Sequence, residues 1–406
     1  MRSLMQEPLR PAYARYVLGL LFVVYVLNFV DRQILAILLD PIKQDLGVSD
    51  TAMGFLTGFA FAAFYTVAGI PIARLADRGS RRTVIAVGLA VWSAMTAASG
   101  LTRSFAQLAI ARVGVGIGEA AGVPPSHSLL ADYFPPERRA GALGFFANGI
   151  YVGTMLAFLL GGWVAAHFDW RTAFFLVGLP GLPLALLVRA TVRELPRGAR
   201  ESTPADDAAL PFAETLRFLF ARRSFVRIVF GSSLLSLTGY GMLVWGPAFL
   251  GRVHGMAPAS VGIWLGILIG VAGSGGAWLG GLLADRLGRV DVRWTLRAPG
   301  LAMLAGLPFA AGFLLLPTPG LALLSFAPFY LLSNMHVGPV WSALQGISRL
   351  RMRATVSAVF QLILNLIGLG LGPLIVGMLN DALADRFGDA SIRWSLCIVT
   401  SVGAIG

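Results

Sequence analysis

Apolar segments recur along almost the whole chain, and they constrain its fold more than any other feature. Each is near the ~20 residues that an α-helix needs to cross a bilayer. The segments fall at approximately 16–39, 51–73, 83–102, 105–131, 140–166, 171–190, 225–250, 258–284, 294–316, 320–347, 354–380 and 391–406. We therefore predict an all-α integral membrane protein with twelve transmembrane helices, of which the last is truncated at Gly406.

The composition excludes a soluble globular protein, because 56% of the residues are hydrophobic and only 13% are charged. A formal net charge of +12 would suggest nucleic acid as the partner of a soluble protein, but most of these Lys and Arg residues stand in short loops. Most of them also fall on the side that holds the N-terminus, which the positive-inside rule places in the cytoplasm. We expect a multi-pass, monomeric protein of the cell membrane with both termini cytoplasmic and no nucleic-acid partner.

The residues that carry metal and redox chemistry are sparse. The single cysteine, Cys397, excludes a disulfide within the chain and a thiolate metal site. The four histidines are scattered and form no pair with metal-ligand spacing. We therefore predict no metal, no cofactor and no enzymatic activity.

The chain divides into two similar halves. We predict a six-helix bundle over 1–190, a cytoplasmic linker over 191–223 and a second six-helix bundle over 224–406. Asp77-Arg78 follow the second apolar segment as Asp285-Arg286 follow the eighth, and parallel repeats of this kind are typical of transporters. In the linker, the composition of 201–207 indicates a flexible stretch, and 212–219 is either an amphipathic helix on the membrane surface or a solvated loop.

Two acidic and two basic residues lie inside two of the apolar segments. Asp31 and Arg32 are in the first, and Arg112 and Glu119 are in the fourth. Charge inside a membrane is costly, so such residues are functional candidates by default. At 1.5 Å per residue, Asp31 and Arg112 lie at one level, about 6–7 Å to the outer side of the midplane. The side chain of Arg32 is long enough to reach Glu119. The expected pairs are therefore Asp31–Arg112 and Arg32–Glu119.

These four residues are the predicted proton-coupling site. Burial disfavours the charged form of a carboxylate and a nearby cation favours it, so a cation that moves between conformations would switch proton binding. Glu119 is the expected proton carrier, because no cation lies within one turn of it on its own helix face. Asp31 is expected to hold the arginines in place. The alternative is a permanent pair of salt bridges that only ties the first and fourth helices together.

The loop after the eighth segment resembles the signature of the major facilitator superfamily, Gly-x-x-x-Asp-Arg-x-Gly-Arg, and reproduces it over 281–289. The copy after the second segment departs from it, because Ala73 replaces the first glycine and Gly79 comes one place early. Within this superfamily, Asp31-Arg32 together with Gly116-Ile117-Gly118-Glu119 resembles the spinster-type transporters. Eukaryotic members of that group carry lysophospholipids or sphingosine 1-phosphate.

The resemblance implies the major facilitator fold, with a central cavity lined by the first, fourth, seventh and tenth helices. The expected cytoplasmic gate comes from the two loop motifs and consists of Asp77, Arg78, Asp285, Arg286 and Arg289. The expected substrate cavity consists of Asn28, Tyr240, Trp245, Phe329, Tyr330, Asn334 and His336. A cavity that is charged on one wall and aromatic on the other suits an amphipathic or organic anion, although aromatic residues also serve as interface anchors and packing in membrane helices.

We therefore predict a secondary transporter that works by alternating access and couples a lysophospholipid-like or sphingoid-phosphate-like anion to protons, with membrane lipids around it. One alternative is a transporter of a small organic anion such as a sugar acid. The other is a membrane sensor that transports nothing.

Overall fold

The computed structural model describes residues 10–196, 212–348 and 352–406, and every regular element in these ranges is a helix. The membrane helices, in chain order, are α1 (Pro11–Ile37), α2 (Asp50–Arg78), α3 (Arg81–Ser99), α4 (Phe105–Glu119 and Val123–Tyr133), α5 (Pro136–His167), α6 (Trp170–Thr191), α7 (Arg223–His254), α8 (Pro258–Gly288), α9 (Trp294–Leu315), α10 (Pro319–Ile347), α11 (Arg353–Leu364, Asn365–Leu371 and Gly372–Phe387) and α12 (Ser391–Ile405). Two short helices, Leu39–Leu46 and Phe212–Phe220, lie between membrane helices.

Ten helical runs in the described ranges are long and apolar enough to cross a membrane. One of them, Thr355–Ile405, contains both α11 and α12, which pack against each other on either side of the short turn Gly388–Ala390. Gly388 has a φ of 53° at this turn, a conformation that glycine adopts at little cost. The interrupted helix α4 is not among these ten runs. With α4 added and with α11 and α12 counted separately, the described ranges agree with the predicted twelve helices.

The interruption of α4 positions a candidate site residue. Its first segment ends at Glu119, and the second begins at Val123 with prolines in its first turn. A proline at this position removes an N–H that has no partner within the helix in any case, so the helix can start there without loss. Glu119 therefore stands at a break in the helix, in the middle of the bundle.

The two halves approach each other at glycines. A Cβ atom on Gly262 of α8 would lie 2.3 Å from the Phe158 carbonyl oxygen of α5. A Cβ atom on Gly58 of α2 would lie 2.6 Å from the Gly370 carbonyl oxygen of α11. Small residues of this kind allow membrane helices to pack backbone against backbone. Both contacts lie toward the end of the bundle that carries Asp50, which we call the sealed end; the other end is called the opposite end.

At the opposite end, the segment after α6 is held against α3 and α4. The buried Arg81 guanidinium donates to Asp132, to Glu194 Oε1 at 2.8 Å and to the Leu195 carbonyl at 2.7 Å. Partial burial of Glu194 raises its pKa, but hydrogen bonds from the Arg82 amide and from Arg81 outweigh this effect and hold the pKa below its ordinary value. The carboxylate is therefore a stabilising partner in this network.

The predicted flexible stretch 201–207 lies outside the described residues. The sequence is compatible with either a helix or a loop over 212–219, and the structure has a short helix there, Phe212–Phe220. Its Leu219 is buried in a cluster with Phe225, whereas Arg217 is exposed. Its location on a membrane surface stays a prediction.

Candidate functional site

The structure contains both predicted ion pairs, and the first joins Asp31 to Arg112. Arg112 Nη1 donates to Asp31 Oδ1 at 2.8 Å, and both side chains are almost fully buried. The Thr96 hydroxyl of α3 donates to the other carboxylate oxygen. The Asp31 carboxylate thus has a charged and a neutral donor, which compensate for the loss of hydration.

The second pair joins Arg32 to Glu119. Arg32 donates to Glu119 Oε2 from Nη2 at 2.6 Å and from Nε at 3.2 Å. The Glu119 side chain is completely buried, whereas Arg32 keeps 9% of its surface exposed. The Arg32 guanidinium also lies over three rings, at 4.9 Å from Phe29, 4.8 Å from Phe61 and 5.2 Å from Tyr65. These contacts stabilise a cation where water is scarce.

Glycines in α4 allow close packing of this helix on its neighbours beside Glu119. A Cβ atom on Gly116 would lie 3.0 Å from the Phe61 carbonyl oxygen of α2, and one on Gly118 would lie 2.6 Å from the Trp92 amide nitrogen of α3. Atoms of α2 and α3 thus lie directly against α4, and the Glu119 carboxylate at the end of its first segment lies within hydrogen-bonding distance of Arg32 on α1. The glycines near Glu119 therefore act in helix packing, which is the role expected for small residues in membrane helices.

Three buried polar atoms of the site have no hydrogen-bond partner in the described part of the chain. They are Asn28 Nδ2, Glu119 Oε1 and Arg112 Nε. Unpaired buried polar atoms are rare in folded proteins, and each calls for an explanation such as a bound water, ion or proton. The site therefore has an unused acceptor on Glu119 and an unused donor on Asn28.

The predicted aromatic wall lies in the second half, around Tyr330. The Tyr330 ring is stacked on Phe326 with 5.3 Å between centroids, and Asn334 Nδ2 donates to the Tyr330 carbonyl at 2.8 Å. The Tyr151 hydroxyl of α5 donates to Asn334 Oδ1 at 3.4 Å, so this polar group connects the two halves. His336 Nδ1 donates to the Ser333 carbonyl at 2.6 Å.

The other predicted cavity residues are more scattered. Tyr240 packs against the same hydrophobic cluster as Tyr25 and Tyr65 of the first half. Phe329 is buried among core residues with 9% of its surface exposed. Trp245 has no exposed surface and donates its ring N–H to the Pro373 carbonyl at 2.9 Å, so the structure places it in the core.

The predicted gate residues are all exposed at the opposite end of the bundle. They are Asp77, Arg78, Asp285, Arg286 and Arg289. In this structure the halves are joined most closely at the other end, through the glycine contacts between α2 and α11 and between α5 and α8.

An ionic network at the sealed end was not predicted from the sequence. Arg252 of α7 donates to Asp40 Oδ1 at 2.6 Å and to Asp50 Oδ2 at 2.5 Å, both of which belong to the first half. Lys43 Nζ lies 2.6 Å from Asp50, and the Asn380 amide of α11 donates to the same carboxylate at 3.0 Å. The network therefore ties the two halves together across the sealed end.

Asp381 adds a further tie between α11 and α2. Its carboxylate accepts the backbone N–H groups of Asp50 at 3.1 Å and of Thr51 at 2.8 Å. The first N–H groups of a helix have no partner within it, so a carboxylate from the other half is a favourable cap.

From the sequence alone, Arg252 is indistinguishable from an ordinary basic residue in the last turn of a helix.

The family follows from the comparisons with known proteins. The sequence profile of the Major Facilitator Superfamily matches residues 21–373. The chain belongs to this superfamily. Its members are membrane transporters, so this chain is a transporter of the superfamily, as its loop motif and its fold predicted.

Three similar proteins give the relationship more detail. An MFS-type efflux pump of Mycolicibacterium smegmatis is 37% identical over 400 residues, which cover 97% of this chain and 92% of that protein. The probable L-galactonate transporter of Escherichia coli is 27% identical, with 95% and 86% covered. The fold is also similar to the crystal structure of a bacterial homologue of the human lysosomal transporter spinster, which is in an inward-facing and unoccupied conformation. The TM-score is 0.86 and the sequence identity 31%, and the match covers 98% of this chain and 96% of that chain. The spinster resemblance is thereby confirmed.

Proposed function

We propose that this transporter moves an amphipathic or organic anion across the cell membrane and couples the movement to protons by alternating access. The observation that carries the proposal is the Arg32–Glu119 pair. It is a buried ion pair of which one member, Arg32, keeps some exposure, and the other, Glu119, has a carboxylate oxygen without a partner among the described residues. Buried pairs of this kind in membrane helices are found on proton and substrate pathways.

In the proposed mechanism, Glu119 gains and loses the transported proton. While it is ionised, it holds Arg32 through a short, charge-assisted hydrogen bond. When Glu119 is protonated, this attraction is lost, and the guanidinium is free to interact with an anion in the cavity. Asp31 keeps Arg112 paired in both states. The motion of Arg32 relative to Glu119 then connects proton binding with substrate binding.

Alternating access would come from the two six-helix bundles, 1–190 and 224–406, which are joined by the cytoplasmic linker 191–223. By the positive-inside rule, the N-terminus and the opposite end face the cytoplasm, and the sealed end faces outward. The exposed Asp77 and Asp285 motifs would then form the cytoplasmic gate, which closes when the Arg252 network opens. The inward-facing state of the similar spinster homologue supports this orientation.

The proposed substrate is an amphipathic anion with an acyl chain. The aromatic wall around Tyr330 would hold the apolar part, and Arg32 would hold the charged group. The similarity to a spinster homologue favours this class, whereas the similarity to an L-galactonate transporter favours a small sugar acid as the alternative. The protein is proposed to act as a monomer.

The test begins with a thermal-shift screen of lysophospholipids, sphingoid phosphates and sugar acids on the purified protein. The best ligand is then used in proteoliposomes, where counterflow exchange and uptake driven by a pH gradient are measured in parallel. We expect Glu119→Gln to retain exchange and to lose the gradient-driven component, because the neutral amide mimics a carboxyl group that is always protonated. Glu137→Gln, an exposed carboxylate of α5, serves as the matched control.

Two outcomes would contradict the proposal. If the Glu119→Gln variant still concentrates its substrate in response to a pH gradient, Glu119 does not carry the proton. If the wild-type protein binds a ligand but exchanges none of it in liposomes, the sensor alternative holds instead.

A further inference from the structure

Asn28 shares one nitrogen of Arg32 with Glu119. It stands one helical turn before Arg32 on α1 and is buried, with 2% of its surface exposed. Arg32 Nη2 donates to Glu119 Oε2 at 2.6 Å and to Asn28 Oδ1 at 3.4 Å. The guanidinium thus has a strong charged acceptor and, beside it, a weaker neutral one.

We propose that Asn28 is a positioning residue that holds Arg32 while Glu119 is protonated, and that it thereby sets the pH at which Glu119 exchanges its proton. This inference rests on the proposed function, since it takes Glu119 to be the proton carrier. The proton comes from water in the cavity and forms an O–H bond at Oε1, the carboxylate oxygen that has no partner in the described part of the chain. Arg32 then loses its charged acceptor, and the Asn28 carbonyl holds the guanidinium until an anion binds to it.

The reason lies in the cost of an unpaired buried cation. When Glu119 becomes neutral, Arg32 loses a charge-assisted hydrogen bond, which is about twice as strong as a neutral one. The two phenylalanine rings over the guanidinium provide no conventional acceptor, so the Asn28 carbonyl and the Tyr65 hydroxyl are the neutral acceptors beside Arg32. Without the Asn28 carbonyl, the protonated state of Glu119 would leave the cation with only one of these two neutral acceptors, and the ionised state of Glu119 would be favoured.

Other ionisable groups act on the same carboxylate and must be considered together with Asn28. Those that interact electrostatically with Glu119 come from α1, α2 and α4 and are Arg32, Asp31, Arg112, Tyr25 and Tyr65. Tyr240 of α7 interacts with Arg32 in the same way. A change at Asn28 leaves all of these groups in place, so a shift in the titration of Glu119 reports the loss of the amide.

The experiment measures proton binding directly and needs no substrate. The infrared band of protonated carboxylic acids is followed as a function of pH on the full-length protein in liposomes, and Glu119→Gln identifies the part of the band that belongs to Glu119. Asn28→Leu removes the acceptor with little change in size, and we expect the midpoint to fall by about 0.5–1 pH unit, the effect of one ordinary hydrogen bond. Asn28→Asp adds a negative charge beside Arg32, and we expect the midpoint to rise by about 1 unit or more.

The matched control is Gln33→Leu. Gln33 is a buried amide on the same helix, but it stands about 100° around the helix axis from Arg32. Its replacement is expected to leave the midpoint unchanged. A purely structural role of Asn28 would lower the stability of both Asn28 variants without moving the midpoint in opposite directions.

The outcomes separate this inference from the function on which it rests. If the wild-type protein has no band that depends on Glu119 at any pH, the proton-coupling proposal fails. If the band is present and its midpoint is the same in the wild type and in Asn28→Asp, the role of Asn28 is refuted alone, even where Asn28→Leu does not fold. Opposite shifts in the two variants support it.

Discussion

The ionic network at the sealed end predicts that Arg252→Gln opens this end of the transporter. Arg252 donates to two carboxylates of the other half, with Nη1 at 2.5 Å from Asp50 and Nη2 at 2.6 Å from Asp40. The Asp50 side chain is 3% exposed, that of Arg252 14% and that of Asp40 27%, so the network is only partly shielded from water. Glutamine keeps a hydrogen-bonding side chain but removes the charge.

The magnitude follows from this burial. Removing one partner of a buried ion pair costs about 3–5 kcal/mol, whereas an exposed pair contributes about 0–1 kcal/mol. Lys43 Nζ lies 2.6 Å from Asp50 and is expected to compensate part of the buried charge in the variant. We therefore expect the sealed state to lose about 2 kcal/mol, which shifts the conformational equilibrium roughly 30-fold toward an unsealed state.

The assay is a distance measurement by pulsed electron paramagnetic resonance. Spin labels at Gln44 and Asp385, which are exposed at the sealed end on different halves, are introduced into a Cys397→Ser background. A population with a longer distance should appear in Arg252→Gln. The matched control is Arg171→Gln, because Arg171 pairs with Asp45 at 2.8 Å within one half.

An Arg252→Gln variant with the same distance distribution as the wild type would refute a seal held by Arg252. This seal is also refuted if Arg171→Gln lengthens the distance equally, since that result would mean that any lost charge at this end loosens the structure. A longer distance in Arg252→Gln alone supports a seal between the halves.

Three further predictions concern the pairs, the cavity and the linker. Asp31→Asn should lower thermal stability by about 3–5 kcal/mol and impair both exchange and gradient-driven transport, because Arg112 is left buried without its charged partner; a melting curve like that of the wild type would contradict this. Tyr330→Ala should weaken the binding of long-chain ligands more than that of short ones, since each buried methylene contributes about 0.8 kcal/mol; an affinity independent of chain length would favour a sugar acid. The pKa of Glu194 is lowered in the folded state, so the stability that this carboxylate contributes is present above its unfolded pKa and is lost as the pH falls through the folded pKa. Glu194→Gln should therefore lower the stability at neutral pH and make the stability depend less on pH in the acid range, which melting curves at several pH values measure.

The sequence alone determined the helices and the partners of the buried charges. Hydrophobic segments long enough to cross a bilayer can satisfy their backbone hydrogen bonds only as helices, so local composition is sufficient to locate them. Depth in the membrane increases by a constant rise per residue, and this was enough to pair Asp31 with Arg112 and Arg32 with Glu119. The loop motif around Asp285 was enough to indicate the family.

Only the tertiary structure decided which contacts form between the halves. Arg252, Asp40 and Asp50 are far apart in the sequence, and their pairing depends on how two bundles meet in one conformation. Trp245 was expected in the cavity because its helix lines it, but the rotation of that helix places the ring against Pro373. The hydrogen bond between Arg32 and Asn28 likewise depends on side-chain geometry. Segment composition and depth are local properties, whereas these contacts depend on helix rotation and on the relative position of the two halves, which no single segment of the chain encodes.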